Sequence, residues 1–167
     1  MFYEVERRVN LNLKNRLPQE SKLEKIYGGR DVYFKLDPFL RVRDLRMTYP
    51  HEKSIQILTC KKMTDGEVEE TETLIDAAAA LNILNETVGK PKVVVEVQRE
   101  EYSLRGLKVC IDDVVKLGNW TEIEKTTTSK EENAKALEEI EEAFELMGVS
   151  KKQLIKDIYP VLLCKKF

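Results

Sequence analysis

A chain of 167 residues fits one domain spanning 1–167, and 42% hydrophobic with 35% charged residues excludes a disordered or fibrous protein. A formal net charge of −2 excludes a general nucleic-acid binder, which needs a basic excess, while leaving room for a basic pocket inside an acidic shell. Cys60, Cys110 and Cys164 are widely spaced with no CxxC, charges at positions 4, 6, 7 and 8 exclude a signal peptide, and no apolar run nears the roughly 18 residues of a membrane span, so the expectation is a cytoplasmic protein with reduced thiols.

The alternation of residues 2–9 predicts a strand with Glu4, Glu6 and Arg8 on one face and Tyr3, Val5 and Val9 near the other. LPQESKLEKIY (17–27) reads as a helix, with Pro18 early and Gly28-Gly29 as its stop. DVYFKL (31–36), FLRVRDLRM (39–47) and SIQILTCKKM (54–63) read as strands, the last two forming a hairpin about TYPHEK (48–53). The single histidine, His51, falls in that turn, which argues against a zinc centre or a Ser-His triad. Asp65-Gly66 marks a further turn before the strand EVEETETLI (67–75).

Asp76 caps a helix AAAALNILNETV, closed by Gly89. VVVEVQREEYSL (93–104) and LKVCIDDV (107–114) form a second hairpin about Arg105-Gly106, followed by the strand NWTEIEKT (119–126). Ser129 with Glu132 predicts a capping box for a helix over 130–147, stopped at Gly148. Its apolar stripe of Leu137, Ile140, Phe144 and Met147 makes the acidic run 138–145 an ordinary amphipathic face. Ser150 with Gln153 repeats the box for a short last helix ending near Pro160, and Lys151, Lys152, Lys165 and Lys166 read as solvated surface. Strands mostly follow strands, so the class is α+β with a mainly antiparallel sheet.

The charges on these strands repeat a pattern. Residues two apart on a strand share a face roughly 6.5–7 Å apart. Glu4 with Glu6, Glu70 with Glu72, and Glu122 with Glu124 are Glu-x-Glu pairs; Arg41 and Arg43 share a face, Lys61 and Lys62 lie on the returning strand, and Arg99 and Asp112 fall on the second hairpin. Taken singly, each such strand reads more often as the wet face of a sheet. Taken together, with Val5, Val9, Leu40, Val42 and Ile123 on the opposite faces, they fit a sheet curled into a barrel with a polar bore. Carboxylates suit hard divalent cations, and arginine and lysine suit phosphate oxygens; no glycine-rich phosphate loop is present to do this work.

The ordered series Glu4-Val5-Glu6-Arg7-Arg8, DVYF (31–34), LRVR (40–43), LTCKK (58–62), EETE (69–72), REEYSL (99–104) and KVCIDDVVKLGNWTEIE (108–124) resembles the CYTH superfamily, the triphosphate tunnel metalloenzymes. The resemblance implies an eight-stranded antiparallel β-barrel, a tunnel, with helices packed outside. It implies a triphosphate substrate (ATP, thiamine triphosphate or tripolyphosphate) and Mg²⁺ or Mn²⁺, with neither nucleic acid nor membrane as partner. By position, Glu4, Glu6, Glu122 and Glu124 would hold metal, and Arg8, Arg41, Arg43, Lys62 and Arg99 would face phosphates. Asp112, Glu70 and Glu72 would be tunnel residues, and Glu4, Glu6, Asp112 and the phosphate-facing cations would form the catalytic set.

The closest branch is that of the class IV adenylyl cyclases, which convert ATP to cyclic AMP and pyrophosphate; triphosphate hydrolysis and binding without turnover are the alternatives. Three positions depart from the family pattern: Arg8 replaces a lysine, and Val68 and Val97 stand where basic residues are frequent. Trp120 would either meet a base or thiazole ring or pack in the core, Tyr102 reads as packing, and the oligomeric state is open, a homodimer included.

Overall fold

A computed structural model of the chain describes residues 3–64 and 67–166, with the side chains of 62–64 and 67–70 outside the description. Eight strands, β1 (Tyr3–Val9), β2 (Lys22–Leu36), β3 (Phe39–Tyr49), β4 (Lys53–Thr64), β5 (Glu67–Leu74), β6 (Val93–Leu104), β7 (Leu107–Val114) and β8 (Gly118–Thr127), form one antiparallel sheet in the order β1-β8-β7-β6-β2-β3-β4-β5. The sheet curls until β1 and β5 come within 8 Å between Cα atoms, with no backbone pairing between these edges among the described residues. The result is a strongly curled, tunnel-like sheet held at its seam by side chains, where Lys61 Nζ lies 3.4 Å from Glu4 Oε1.

The helices sit where the apolar faces require them. Helix α2 (Lys130–Leu146) buries Ile140, Ala143 and Phe144 against Val9, Val109 and Ile123 on the outer face of the sheet. Burying an Ile or Phe of this kind stabilises by roughly 1.5–3 kcal/mol. Helix α1 (Ala77–Thr87) covers Val32, Phe34 and Val42. Helix α3 (Tyr159–Lys166) packs instead against an inward-facing apolar cluster of Tyr33, Val95, Val114 and Trp120, closing one end of the bore. No helix among the described residues is long and apolar enough to cross a membrane.

Local chemistry explains the boundaries. Asp76 accepts from the Ala79 N–H at 2.8 Å, and Gly89 takes the left-handed conformation expected after a helix (φ +103°). Arg105 and Gly106 both have positive φ, as a tight two-residue hairpin turn requires. At α2 the box is only partly formed: Glu132 accepts from the N–H and hydroxyl of Thr128, and the Ser129 side chain makes no capping hydrogen bond. The Asp65-Gly66 turn lies outside the described residues.

Two expectations are overturned. The helix expected over 17–27 is absent: a single 3-10 turn at Lys14–Arg16 leads into β2, which begins at Lys22. Lys22–Leu23 pair with β6 and Ile26 onward pairs with both β6 and β3, so two sets of backbone hydrogen bonds override the helix preference of a Glu/Lys-rich stretch. Gly28 and Gly29 therefore end nothing. A Cβ on Gly28 would lie 2.9 Å from Gln98 Nε2, and one on Gly29 would lie 3.0 Å from Leu45 Cδ2, the close approach that strand glycines permit. The last helix begins rather than ends beside Pro160, because proline fits the first turn of a helix. The Ser150–Gln153 box exists, but it caps only a 3-10 turn at Lys151–Gln153.

Candidate metal and anion tunnel

Period-two alternation carries the charged residues of all eight strands toward a cavity of about 660 Å³. Glu4, Glu6 and Arg8 of β1, Glu122 and Glu124 of β8, and Lys108 and Arg99 of β7 and β6 line one side. Asp31 of β2, Arg41 and Arg43 of β3, Thr59 and Lys61 of β4 and Glu72 of β5 line the other.

Glu6 and Glu124 are direct cross-strand partners, a like-charge pairing that costs stability. One carboxylate oxygen from each of Glu4, Glu6 and Glu124 lies within 4.8 Å of the other two. Burial pushes Glu6 up to about 7, reinforced by Glu122, Glu4 and Glu124 against the opposing pull of Arg8. Burial, with Glu4 and Glu122, likewise raises Glu124 although Lys108 pairs with it.

Glu122 differs from these three. Its Oε2 lies 2.9 Å from Arg8 and its Oε1 3.1 Å from Arg99. Burial opposes its charge, but Arg99 and Arg8 outweigh burial and hold it below the usual carboxylate range. Of the four carboxylates expected at a metal, three stand together and the fourth anchors the arginines. Cys110 Sγ also falls within 4.8 Å of Glu122 and Glu124 oxygens, but burial drives its thiol far above the usual range and keeps it neutral.

Arg41, Arg43 and Arg99 are each held by a carboxylate. Arg43 makes two hydrogen bonds to Asp31, at 2.7 and 2.6 Å. Arg41 reaches Asp31 at 3.4 Å and donates to Thr59 Oγ1 at 3.1 Å, and that hydroxyl in turn donates to Glu72 at 3.0 Å. Burial works against the Asp31 charge, but Arg43 and Arg41 win and lower its pKa. Arg99 grips Asp112 at 2.7 and 2.6 Å, and the Tyr159 hydroxyl donates to the same carboxylate at 2.6 Å. Asp112 lies behind Arg99 rather than on the cavity wall.

Arg8 is only 1% exposed. It donates to the Asp157 carbonyl at 3.0 Å, pairs with Glu6 at 2.6 Å and lies 4.9 Å from the Tyr159 ring centroid. Its backbone also bonds Ile155, so this residue fastens the segment leading into α3 to β1. It touches the cavity, its two terminal nitrogens are engaged by the protein, and its buried Nε has no hydrogen-bond partner among the described residues.

The backbone of Lys62 pairs with Glu69, and its side chain and that of Glu70 lie outside the described residues. Among the described side chains, Lys61, in step with Thr59, is the β4 lysine that lines the cavity. Lys61, Lys108, Asp31 and Tyr159 were not assigned from the sequence. Lys108 and Asp112 share a parity that would have placed them together; Asp31 stands on an expected strand, and its role comes from Arg43, its partner on β3. Trp120 is packed: it is 5% exposed, sits edge-on to Tyr159 at 5.7 Å and donates to the Leu117 carbonyl at 3.3 Å.

A strongly curled antiparallel sheet that lines one cavity with both carboxylates and guanidinium groups is what these strands build. The chain belongs to the CYTH domain family, whose profile matches residues 3–159. It is similar to a Methanocaldococcus jannaschii protein named "Putative adenylate cyclase MJ0240", 26% identical over 174 residues, covering 93% of this chain and 95% of the relative. The fold matches the solved structure of PH1819 protein from Pyrococcus horikoshii OT3 with a TM-score of 0.84 at 23% identity, covering 99% of this chain and 100% of that one. It also matches a structure titled "putative adenylate cyclase" from Vibrio parahaemolyticus, with a TM-score of 0.71 at 15% identity, covering 97% and 98%.

Proposed function

We propose that this protein is a metal-dependent enzyme acting on a triphosphate in the tunnel, in the manner of a class IV adenylyl cyclase, converting ATP to cyclic AMP and pyrophosphate. The observation that carries this reading is the junction of the Glu4, Glu6 and Glu124 oxygens with a wall of arginines inside one cavity.

Glu4, Glu6 and Glu124 bring three oxygen donors together, and burial with mutual repulsion disfavours charge on Glu6 and Glu124, which a hard dication such as Mg²⁺ or Mn²⁺ relieves. Glu4, Glu6 and Glu124 would hold the metal, with Glu122 backing the arginines beside them. When bound, the metal neutralises phosphate charge and so lowers the barrier to nucleophilic attack. Arg41, Arg43, Arg99 and Lys61 would bind the phosphate chain and stabilise charge on the leaving pyrophosphate. Asp31 and Asp112 hold three of these four cations in place, so little reorientation accompanies binding. In the cyclase reaction the ribose 3′-oxygen bonds to the α-phosphorus, the bond from that phosphorus to the bridging oxygen breaks, and the hydroxyl proton leaves.

Hydrolysis of the same triphosphate is the second reading, favoured by Val97. This residue lines the cavity uncharged where the family often places a cation, which leaves less positive charge for a pyrophosphate leaving group.

Incubation with Mg²⁺ or Mn²⁺ and, separately, ATP, tripolyphosphate or thiamine triphosphate distinguishes these outcomes. Cyclic AMP with pyrophosphate supports the cyclase, and free phosphate supports the hydrolase. Binding without turnover, unaltered by Glu4→Gln or Glu124→Gln, would refute both.

A further inference from the structure

Tyr27, Tyr33 and Tyr159 all line the cavity. Tyr159 donates its hydroxyl to Asp112 at 2.6 Å, and Tyr33 lies against Arg41, whose guanidinium is 5.9 Å from its ring centroid. Tyr27 is half-buried, and its hydroxyl makes no hydrogen bond to any described residue. Polar groups in protein interiors are paired as a rule, so an unpaired one on a cavity wall points to a partner that comes from outside the chain.

The setting of Tyr27 says what that partner is. It stands on the bore face of β2 as the direct partner of Arg99 on β6. The next bore-facing position of β2 is Gly29, opposite Leu45 on β3 and Val97 on β6. A Cβ on Gly29 would lie 3.0 Å from Leu45 and 3.4 Å from Val97, so these apolar side chains close over the glycine. Beyond them Asp31 holds Arg43. On this wall Arg43 and Arg99 are therefore separated by a row without a polar side chain, and Tyr27 stands at its edge.

The charge around the hydroxyl fixes its chemical role. Arg99 and Arg43 both favour its ionised form, but burial outweighs them, and Cys110 and Glu101 act in the same direction as burial. The phenol keeps its proton and is a donor rather than a base. The Glu101 carboxylate does not compete for that donor, because Lys25 holds it at 3.0 Å. A phosphate chain gripped by both Arg43 and Arg99 crosses the apolar row, where Val97 supplies no cation, and Tyr27 offers an uncommitted donor beside that crossing.

We infer that Tyr27 is a phosphate-contacting residue, whose hydroxyl donates to a non-bridging oxygen of the chain held by Arg43 and Arg99 and fills part of the place left by the uncharged Val97. The inference rests on the proposed binding of a triphosphate in the tunnel. It adds a neutral, directional contact to a wall otherwise made of ion-paired arginines.

The test is calorimetric titration of the whole chain, with Mg²⁺, by tripolyphosphate and by ATP, for the native protein and Tyr27→Phe, together with urea unfolding of both proteins without ligand. Phenylalanine keeps the ring and removes only the hydroxyl. The two proteins should unfold at the same urea concentration, since the hydroxyl bonds nothing in the free chain. Both ligands should bind Tyr27→Phe about tenfold more weakly, equivalent to about 1.4 kcal/mol, the scale of a hydrogen bond to a charged group. An equal loss for ATP and tripolyphosphate places the contact on the phosphates they share.

A Tyr27→Phe protein that unfolds at lower urea, or does not fold, would show that the hydroxyl serves the fold. Unchanged affinity for both ligands would show that it meets only water, and a loss for ATP alone would place it on the nucleoside. Each of these results would overturn the inference while leaving the tunnel reading intact. Failure of tripolyphosphate and ATP alike to bind the native protein would overturn both.

Discussion

Arg99 and Asp112 face each other across β6 and β7 through two hydrogen bonds of 2.7 and 2.6 Å, and the Tyr159 hydroxyl closes the arrangement at 2.6 Å. The pair is buried, and Asp112 exposes no carboxylate surface. Removing one member of a buried ion pair leaves the other unpaired, at a cost of about 3–5 kcal/mol. Asp112→Ala should destabilise by about this amount in urea unfolding. Asp112→Asn, which can keep one hydrogen bond, should lose less. In the asparagine variant triphosphate affinity should fall through a misplaced Arg99, and an Asp112→Asn protein with native affinity would contradict the positioning role.

Glu4, Glu6 and Glu124 crowd negative charge, so a bound dication should stabilise the fold. At a hundred times its dissociation constant a ligand adds about 2.7 kcal/mol. Mg²⁺ or Mn²⁺ should therefore raise the melting temperature of the native protein, and Glu124→Gln should abolish most of that rise while leaving the metal-free protein equally or more stable. Thermal melts with and without metal check both halves.

The raised Glu6 value makes metal-free stability pH-dependent. Its folded pKa of about 7 lies above the unburied value of 4.5, so between the two the folded state holds the extra proton. Stability from this source is full below about 4.5 and is lost as pH rises through 7, by roughly 1–3 kcal/mol. Glu124 shifts in the same direction, whereas the lowered values of Asp31 and Glu122 act below this window. Metal-free protein should thus unfold at lower urea at pH 8 than at pH 5, and Glu6→Gln should flatten the difference.

Arg8 stands where the family pattern carries a lysine, and its planar group serves Glu6, Glu122 and the Asp157 carbonyl while stacking on Tyr159. A lysine offers one compact charge and cannot make all of these contacts. Arg8→Lys should cost about 1–3 kcal/mol in unfolding and speed amide exchange in α3. Unchanged protection there would show that the segment before α3 is held by its backbone bonds to Arg8 alone.

The face carrying Glu4, Glu6, Glu122 and Glu124 was legible because strands reveal their two faces in single-residue steps. The same rule gave Arg41, Arg43 and Arg99. What escaped depends on partners far away in sequence. Lys22–Tyr27 looks helical by local preference and becomes a strand only because Ser103 and Arg99 of β6 pair with its ends. Asp31 gains its role from Arg43 across the ladder, and Tyr159 from Asp112 on a strand 47 positions earlier. The difference between Glu122 as a metal residue and Glu122 as an arginine anchor depends on distances among three strands, which no alternation records.

Diffraction at the manganese absorption edge, from crystals grown with Mn²⁺ and tripolyphosphate, tests the central claim most directly. The account predicts an anomalous peak bounded by Glu4, Glu6 and Glu124, with phosphate density reaching Arg41, Arg43 and Arg99. Manganese and phosphate lying outside the tunnel would contradict it.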